Sequence, residues 1–330
     1  MIENLLAYGI WVAIVLIVVG FVSLVKGADW LVDGASAIAK RFGISDLVIG
    51  LTVVAFGTSL PEFVVNMISV AEGTTDLAIT NILGSNIINT FVILGCTALV
   101  YPIVSQRDSR RFDIPLSLVA GLAVLLAIYV PVLLGVKGLT IGRAGGVVLL
   151  LAFCYFLYHT FRHAQEHADE KEAPAQVKEI PVRRAIALMV GGFVGLVVGG
   201  ELIVQSAVDL ATRMGVSEAV IGLTVVALGT SLPELATSVI AATKKNCDIA
   251  LGNVIGSNIF NIFFVLGTSA TVRPLPAYEG IELDIAMVVL GSALVWIFVA
   301  SNRRHAIKRW AGAVLLLVYA LYLTYRLMVV

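Results

Sequence analysis

Gly50-Leu-Thr-Val-Val-Ala-Phe-Gly-Thr-Ser-Leu-Pro-Glu62 is written again from Gly222 to Glu234 with one change, Leu228 standing where the first copy has Phe56. Nearly all neighbours of both copies are apolar, yet each copy closes on a proline and a carboxylate. Pro61 has no N–H, so the carbonyl of Gly57 loses its helical partner, and Pro233 does the same to Gly229. The spacing predicts a helix broken at each GTSLP segment.

The surroundings of these segments follow from composition. Of 330 residues, 59% are hydrophobic and 13% charged, with a mean hydropathy of +0.99; a soluble domain has about a quarter of its residues charged. The chain therefore reads as an integral membrane protein. Its formal charge of zero offers nothing to a nucleic-acid partner. Cys96, Cys154 and Cys247 stand singly in or beside apolar stretches and read as small buried hydrophobes rather than as a disulfide or metal site.

A spanning helix needs roughly 20 apolar residues. Ten runs qualify: Leu5 to Lys40, Ile44 to Ala71, Leu77 to Ile103, Phe112 to Leu134, Leu139 to Phe161, Val182 to Arg213, Val216 to Thr243, Ile249 to Val272, Ile281 to Ala300 and Ala306 to Met328. Only Glu3 is charged ahead of the first run, which is thus a span and not a signal peptide. Ten spans divide the loops between two sides. One side collects sixteen basic residues, among them Lys40, Arg107, Arg183, Lys244 and Arg303, and the other five, Lys137, Arg143, Arg213, Arg273 and Arg326. The bias places both termini outside and the loops with sixteen in the cytoplasm.

The repeat extends well beyond its most similar stretch. A shift of 172 positions aligns Gly43 through Gly95 with Gly215 through Gly267 without a gap, with 28 identities in 53 pairs. Spans two and three thus match spans seven and eight. Because five spans separate equivalents, the halves enter the membrane in opposite directions, the inverted-repeat plan of many secondary transporters. The expected fold is an all-α membrane protein of ten helices, in two inverted five-helix repeats with broken helices at the midplane. The first repeat is residues 1–161, a cytoplasmic linker 162–181, and the second repeat 182–330.

Broken backbone at membrane depth is tolerated only where it is buried in protein or lines a cavity. The freed carbonyls, the hydroxyls of Thr58, Ser59, Thr230 and Ser231, and the carboxylates of Glu62 and Glu234 then offer oxygen at one level, the chemistry of a hard-cation site. A second repeated element agrees. Asn81-Ile-Leu-Gly-Ser85-Asn86-Ile-Ile-Asn89 matches Asn253-Val-Ile-Gly-Ser257-Asn258-Ile-Phe-Asn261. Ser85 and Asn89 share a helical face, as do Ser257 and Asn261. Asn81, Asn86, Asn253 and Asn258 are expected to cap broken backbone, and Gly84 and Gly256 to allow close helix approach.

An ionised carboxylate at a helix centre costs about 2.5–3.5 kcal/mol on insertion scales. No Lys or Arg lies near either motif in sequence, so a bound cation or protonation must compensate. The bland alternative is a pair of protonated Glu side chains bonded across the bundle. Two carboxylates cancel one divalent charge, and two bidentate Glu with two carbonyls supply about six oxygens, within the range Ca2+ prefers. The same oxygens could distribute around several Na+.

GTSLPE paired with GSNIxN, present twice in inverted halves, resembles the alpha repeats of the calcium/cation antiporter superfamily, specifically the prokaryotic sodium/calcium exchangers. The resemblance covers the whole ten-span plan. It implies Ca2+/Na+ exchange with Glu62 and Glu234 as shared central ligands and the backbone at Thr58 and Thr230 beside them. It also implies one sodium site from Ser59, Ser85 and the Ala55 carbonyl, another from Ser231, Ser257 and the Ala227 carbonyl, and Asn89 and Asn261 flanking the centre. Some members, including potassium-dependent ones, carry Asp at one of these last positions; Asn at both speaks against K+ coupling. Finally, it implies that spans one and six slide over the other eight; the small-residue strips Gly20, Ser23 and Gly27 in span one and Gly191, Gly195 and Gly199 in span six are compatible with sliding and equally with tight packing in a static bundle.

Other readings remain open at this point. Ca2+/H+ or other cation/proton exchange would use the same cage, and a cation channel is a more remote alternative. A hydrolase would need a base near Ser59 or Ser231, yet all four histidines lie at helix ends or in loops, so no enzyme is expected. His159, His163 and His167 share one helical face and read as a solvated helix end rather than a metal site. Lys26, Asp29, Asp33 and Glu201 read as helix-end charges. No cofactor and no protein partner is expected; Ca2+ and Na+ are the transported ions and a lipid bilayer, in cells the inner membrane, the medium.

Overall fold

The structure, a computed structural model, describes residues 9–133, 135, 138–168, 180–215 and 227–329, with backbone alone at 163–168, 227 and 329. Expectations for Lys137, most of the linker and the start of the seventh span, Val216 to Val226, fall outside the described residues.

A proline-free run of 32 residues forms α1 (Ile10–Arg41), which stops where Gly43 takes a φ of 66°. Ser45 then caps a new helix by accepting from the Val48 N–H at 3.3 Å. This helix, α2 (Asp46–Thr58), meets α3 (Leu60–Glu72) at a 45° bend. The bend sits at Ser59, with Pro61 in the first turn of α3, as the loss of the proline N–H requires. Gly73, at φ 87°, ends α3 in the left-handed conformation. There follow α4 (Thr75–Val100), α5 (Ser109–Leu133) and α6 (Arg143–Ala168).

The second half repeats the pattern with α7 (Val182–Arg213), a helical turn at Ala227–Gly229, α8 (Leu232–Thr243), α9 (Cys247–Val272), α10 (Ile281–Ala300) and α11 (Arg309–Val329). Among the described residues, eight helices and one bent pair have the length and composition to cross a membrane. The seventh expected span is represented among the described residues by Ala227–Gly229 and α8. Two short antiparallel ladders were not expected from the sequence: β1 (Ile103–Val104) pairs with β4 (Ala306–Ile307), and β2 (Thr140–Ile141) with β3 (Leu275–Pro276).

Burial sorts the helices. α4 and α9 are almost wholly enclosed, whereas α1, α7 and α11 expose large apolar side chains such as Val18, Val22, Val194, Val198, Leu317 and Leu321 outward, as lipid-facing surfaces do. Backbones meet where α9 crosses α2: a Cβ at Gly256 would lie 2.5 Å from the Leu51 carbonyl oxygen. At Gly84, the repeat equivalent, a Cβ would meet no described residue within 4 Å.

The two long helices run antiparallel along a glycine seam. A Cβ on Gly20 would lie 2.8 Å from the Gly199 carbonyl, one on Gly27 2.8 Å from that of Gly192, and one on Gly34 2.7 Å from that of Ala185. Ser23 adds a hydrogen bond of 2.9 Å to the Gly195 carbonyl. The seam thus uses Gly192 where the sequence suggested Gly191, which instead faces Trp30. A four-residue period drifts around a helix, while a seven-residue period keeps to one side.

The pseudo-symmetry is broken at the half-helices. α1 lies along α8, but α7 leaves α3 uncovered. Consequently Val64 is 51% exposed and its equivalent Ala236 8%. At the end of α8, Lys244 Nζ meets Asp29 Oδ1 at 2.7 Å and Asp33 Oδ1 at 2.6 Å on α1. These two aspartates are therefore ion-paired rather than simple helix-end charges. The equivalents Glu72, Glu201 and Gln205 include no cation, and Gln205 bonds Glu201 instead. Such partly exposed pairs each contribute about 0–1 kcal/mol.

Other expectations need correction. Cys154 is exposed on the outward surface of α6, because the apolar surroundings here are lipid as well as protein. His159 stacks on Phe112 with ring centroids 3.4 Å apart; the side chains of His163 and His167 lie outside the described residues. Asp284, on α10, is buried against Tyr278, Tyr322 and Arg326, tying α10 to α11.

Candidate functional site

The two helix breaks bring Glu62 and Glu234, each in the first turn of its half-helix, into the enclosed centre at 1% and 0% exposure. Each carboxylate is met by a serine of the opposite half. Ser59 Oγ donates to Glu234 Oε1 at 2.7 Å and lies 2.9 Å from Ser257 Oγ. Ser231 Oγ reaches toward Glu62 Oε1 at the longer distance of 3.5 Å. Ser59 thus pairs across the halves with Ser257, whereas Ser85 Oγ has no hydrogen-bond partner. Residue spacing within one copy carries no information about which copy's serine crosses over.

Thr58 is buried at the end of α2, its hydroxyl 3.1 Å from the Val54 carbonyl, 3.3 Å from that of Ala55 and 3.0 Å from Asn253 Oδ1. Thr230 follows the helical turn that begins at Ala227. Around the two carboxylates, Glu62 Oε2, Glu234 Oε2, Ser85 Oγ, Thr230 Oγ1 and both amide atoms of Asn89 and Asn261 are buried without a hydrogen-bond partner. Unsatisfied polar atoms are normally rare in a folded interior. Here they are largely oxygens, carried by α3, α4, α8 and α9 and by Thr230 just before α8. No ion pair to either Glu stands among the described residues, nor any cluster of three or more His, Cys, Asp or Glu. A set of two carboxylates and neutral oxygens can hold a hard cation.

Local helix geometry adds a feature that sequence reasoning missed. α4 widens to π-helix over Ile88–Ile93 and α9 over Phe260–Leu266, each starting one residue before the inward asparagine. Another π segment, Gly50–Val54, leads into the first break. Single π turns inside α-helices recur at functional sites. No residue type announces them; their only signal is coincidence with the repeated Asn.

The remaining asparagines divide. Asn253 Nδ2 does bond the backbone of the broken helix, at the Glu234 carbonyl, 3.2 Å away. Asn86 Nδ2 bonds the Ile82 carbonyl of its own helix at 2.8 Å and Asn258 Nδ2 bonds Thr90 Oγ1 at 2.8 Å. Neither caps a break, since Asn86 bonds a carbonyl of its own helix and Asn258 a hydroxyl of α4. Asn81 Nδ2 has no partner.

Comparison with known proteins follows this geometry. The family described as sodium/calcium exchanger protein matches residues 12–162 and 184–328. The inner membrane protein YrbG of Escherichia coli is 37% identical over 274 residues, covering 79% of this chain and 80% of that one. The sodium/calcium exchanger MaX1 of Methanosarcina acetivorans is 33% identical over 357 residues, covering 95% and 98%. Among solved structures, the sodium-calcium exchanger NCX_Mj soaked with Na+ and Ca2+ superposes with a TM-score of 0.79 at 32% identity, covering 94% of this chain and 97% of that one.

Proposed function

Since the chain belongs to the sodium/calcium exchanger protein family, we propose that it is a secondary antiporter exchanging Ca2+ for Na+ across the membrane by alternating access. The observation that carries this reading is the pair of enclosed carboxylates, each with an unpartnered oxygen, in an interior that also buries unpartnered hydroxyl and amide groups and, among the described residues, offers neither carboxylate a basic partner. Glu62 and Glu234, with the backbone at Thr58 and Thr230, hold Ca2+. Ser59, Ser257, Glu234 and the Ala227 carbonyl form one sodium site. Ser231, Ser85, Glu62 and the Ala55 carbonyl form the other, with Asn89 and Asn261 between them. Competition for shared carboxylates couples the two ions, because neither cargo can occupy the centre while the other fills it.

Residues 1–161 and 182–330 act as the two inverted repeats, joined by a cytoplasmic linker at 162–181, with both termini outside the inner membrane. The asymmetry in basic residues supports this orientation. Topology tags in the linker are expected to report the cytoplasm, and tags at both termini the outside. A linker read outside would reverse the side to which each sodium site opens.

Ca2+ uptake into Na+-loaded proteoliposomes tests the exchange itself. Uptake should follow an imposed Na+ gradient and ignore a proton gradient; the converse would establish proton exchange instead. Three Na+ on two carboxylates leave a net +1, while one Ca2+ leaves zero, so one charge crosses per cycle. A potential of 100 mV then biases that step by roughly 2.3 kcal/mol. Uptake should rise with the favourable sign of a clamped voltage. It should also persist without K+, since Asn89 and Asn261 offer no third carboxylate. Voltage-independent uptake would overturn the three-to-one stoichiometry.

A further inference from the structure

Asn253 ties the two broken helices together. Its Oδ1 accepts from Thr58 Oγ1 at 3.0 Å, and its Nδ2 donates to the Glu234 carbonyl oxygen at 3.2 Å and to Ser238 Oγ at 2.9 Å. All four residues are enclosed. The 172-residue shift carries this set onto Thr230, Asn81, Glu62 and Asn66.

In the mirrored set the bonds between residues are not made. Thr230 Oγ1, Asn81 Nδ2 and Asn66 Oδ1 are buried and without a partner, and Asn66 Nδ2 turns to the Glu62 carbonyl of its own helix at 2.9 Å. The groups needed to complete it are nonetheless all present: a hydroxyl at Thr230, an amide at Asn81, and at position 66 an amide where the other half has a hydroxyl. Leaving buried donors and acceptors unmade is costly. The unmade set belongs to the half-helix that α7 leaves uncovered, and the made set to the half-helix that α1 covers. Hydrogen bonding and cover are thus broken in the same sense.

We propose that Asn253 and Asn81 are positioning residues that work in alternation. Asn253 holds Thr58 and the Glu234 peptide in register while α8 is covered. When the cover shifts to α3, Asn253 releases them and Asn81 takes the equivalent hold on Thr230, Asn66 and the Glu62 peptide. This inference rests on the alternating-access reading above. It assigns each asparagine a preference for one conformer through the residues it positions.

The test uses the full chain in oriented proteoliposomes, with Ca2+ uptake titrated from each face. Asn253→Ala should raise half-saturating Ca2+ about fivefold or more at the face onto which α3 opens and lower it at the other, since it depopulates the conformer seen here. Asn81→Ala should do the reverse. Ser238→Ala removes one bond only and gives a smaller shift of the same sign as Asn253→Ala, which keeps the test available if the larger change prevents folding.

An independent readout needs no transported ion. In a chain with Cys96, Cys154 and Cys247 replaced by Ser, Val64→Cys and its equivalent Ala236→Cys are labelled with a membrane-impermeant thiol reagent. Asn253→Ala should slow labelling at position 64 and speed it at 236, and Asn81→Ala the opposite. Shifts of one sign at both positions, or none, overturn the proposal. Absence of Ca2+ flux in the unsubstituted chain overturns the antiport reading instead, while the labelling pattern still decides the roles of the two asparagines.

Discussion

Exchange of Glu62 or Glu234 for Gln is expected to abolish Ca2+ transport while leaving the protein inserted and folded. Gln keeps the volume and can still bond Ser59 or Ser231, so the helix breaks are preserved. What is lost is one of two negative charges facing a divalent ion. At roughly 4 Å and an effective dielectric of about 20, the attraction of one such charge for a divalent ion is about 8 kcal/mol before desolvation, several times the roughly 1.4 kcal/mol that changes affinity tenfold. Ca2+ uptake by proteoliposomes, alongside the elution profile of each purified variant, measures both halves of the expectation. Near-normal flux in either variant would remove that carboxylate from the site.

The second large effect concerns neighbouring glycines on α7. A Cβ on Gly192 would stand 2.7 Å from both the Gly27 carbonyl oxygen and the Leu31 nitrogen, which are backbone atoms that cannot swing aside. Gly192→Ala must therefore push α1 and α7 apart. Overpacking of this kind costs about 1–3 kcal/mol, and in a seam shared by both halves it should also abolish exchange. Gly191→Ala meets only the edge of Trp30, at 3.6 Å, an ordinary contact. Its effect should stay within about 0.5 kcal/mol. Thermal denaturation in detergent, measured on both variants, should separate the two residues; equal melting temperatures would mean that the seam tolerates separation.

The breaks at Ser59 and Ser231 were legible because proline removes a specific hydrogen bond, and the burial of Glu62 and Glu234 was legible because nothing around them in sequence is polar enough for a surface. Long-range pairing was not. Ser59 could have joined Ser85 or Ser257 on spacing alone, and only the crossing of α2 with α9 decides for Ser257. The π turns at Asn89 and Asn261 left no compositional trace, since any apolar helix can widen when tertiary contacts favour it. Nor could nearly identical motifs reveal that the Asn253 amide nitrogen is bonded and that of Asn81 is not. That difference belongs to the conformation rather than to the motif.

The glycine seam between α1 and α7 has a further implication. The shift that maps Gly20 onto Gly192 also maps Gly27 onto Gly199, so the contact of Gly20 with Gly199 becomes the contact of Gly192 with Gly27. Such a surface is isologous, as at the interface of a two-fold homodimer, where one patch serves both partners. The two halves therefore recognise each other through their own geometry, and the covalent connection between them contributes proximity rather than specificity. A single five-helix unit able to insert in either direction would find its partner in an inverted copy of itself, with the same glycines setting the fit.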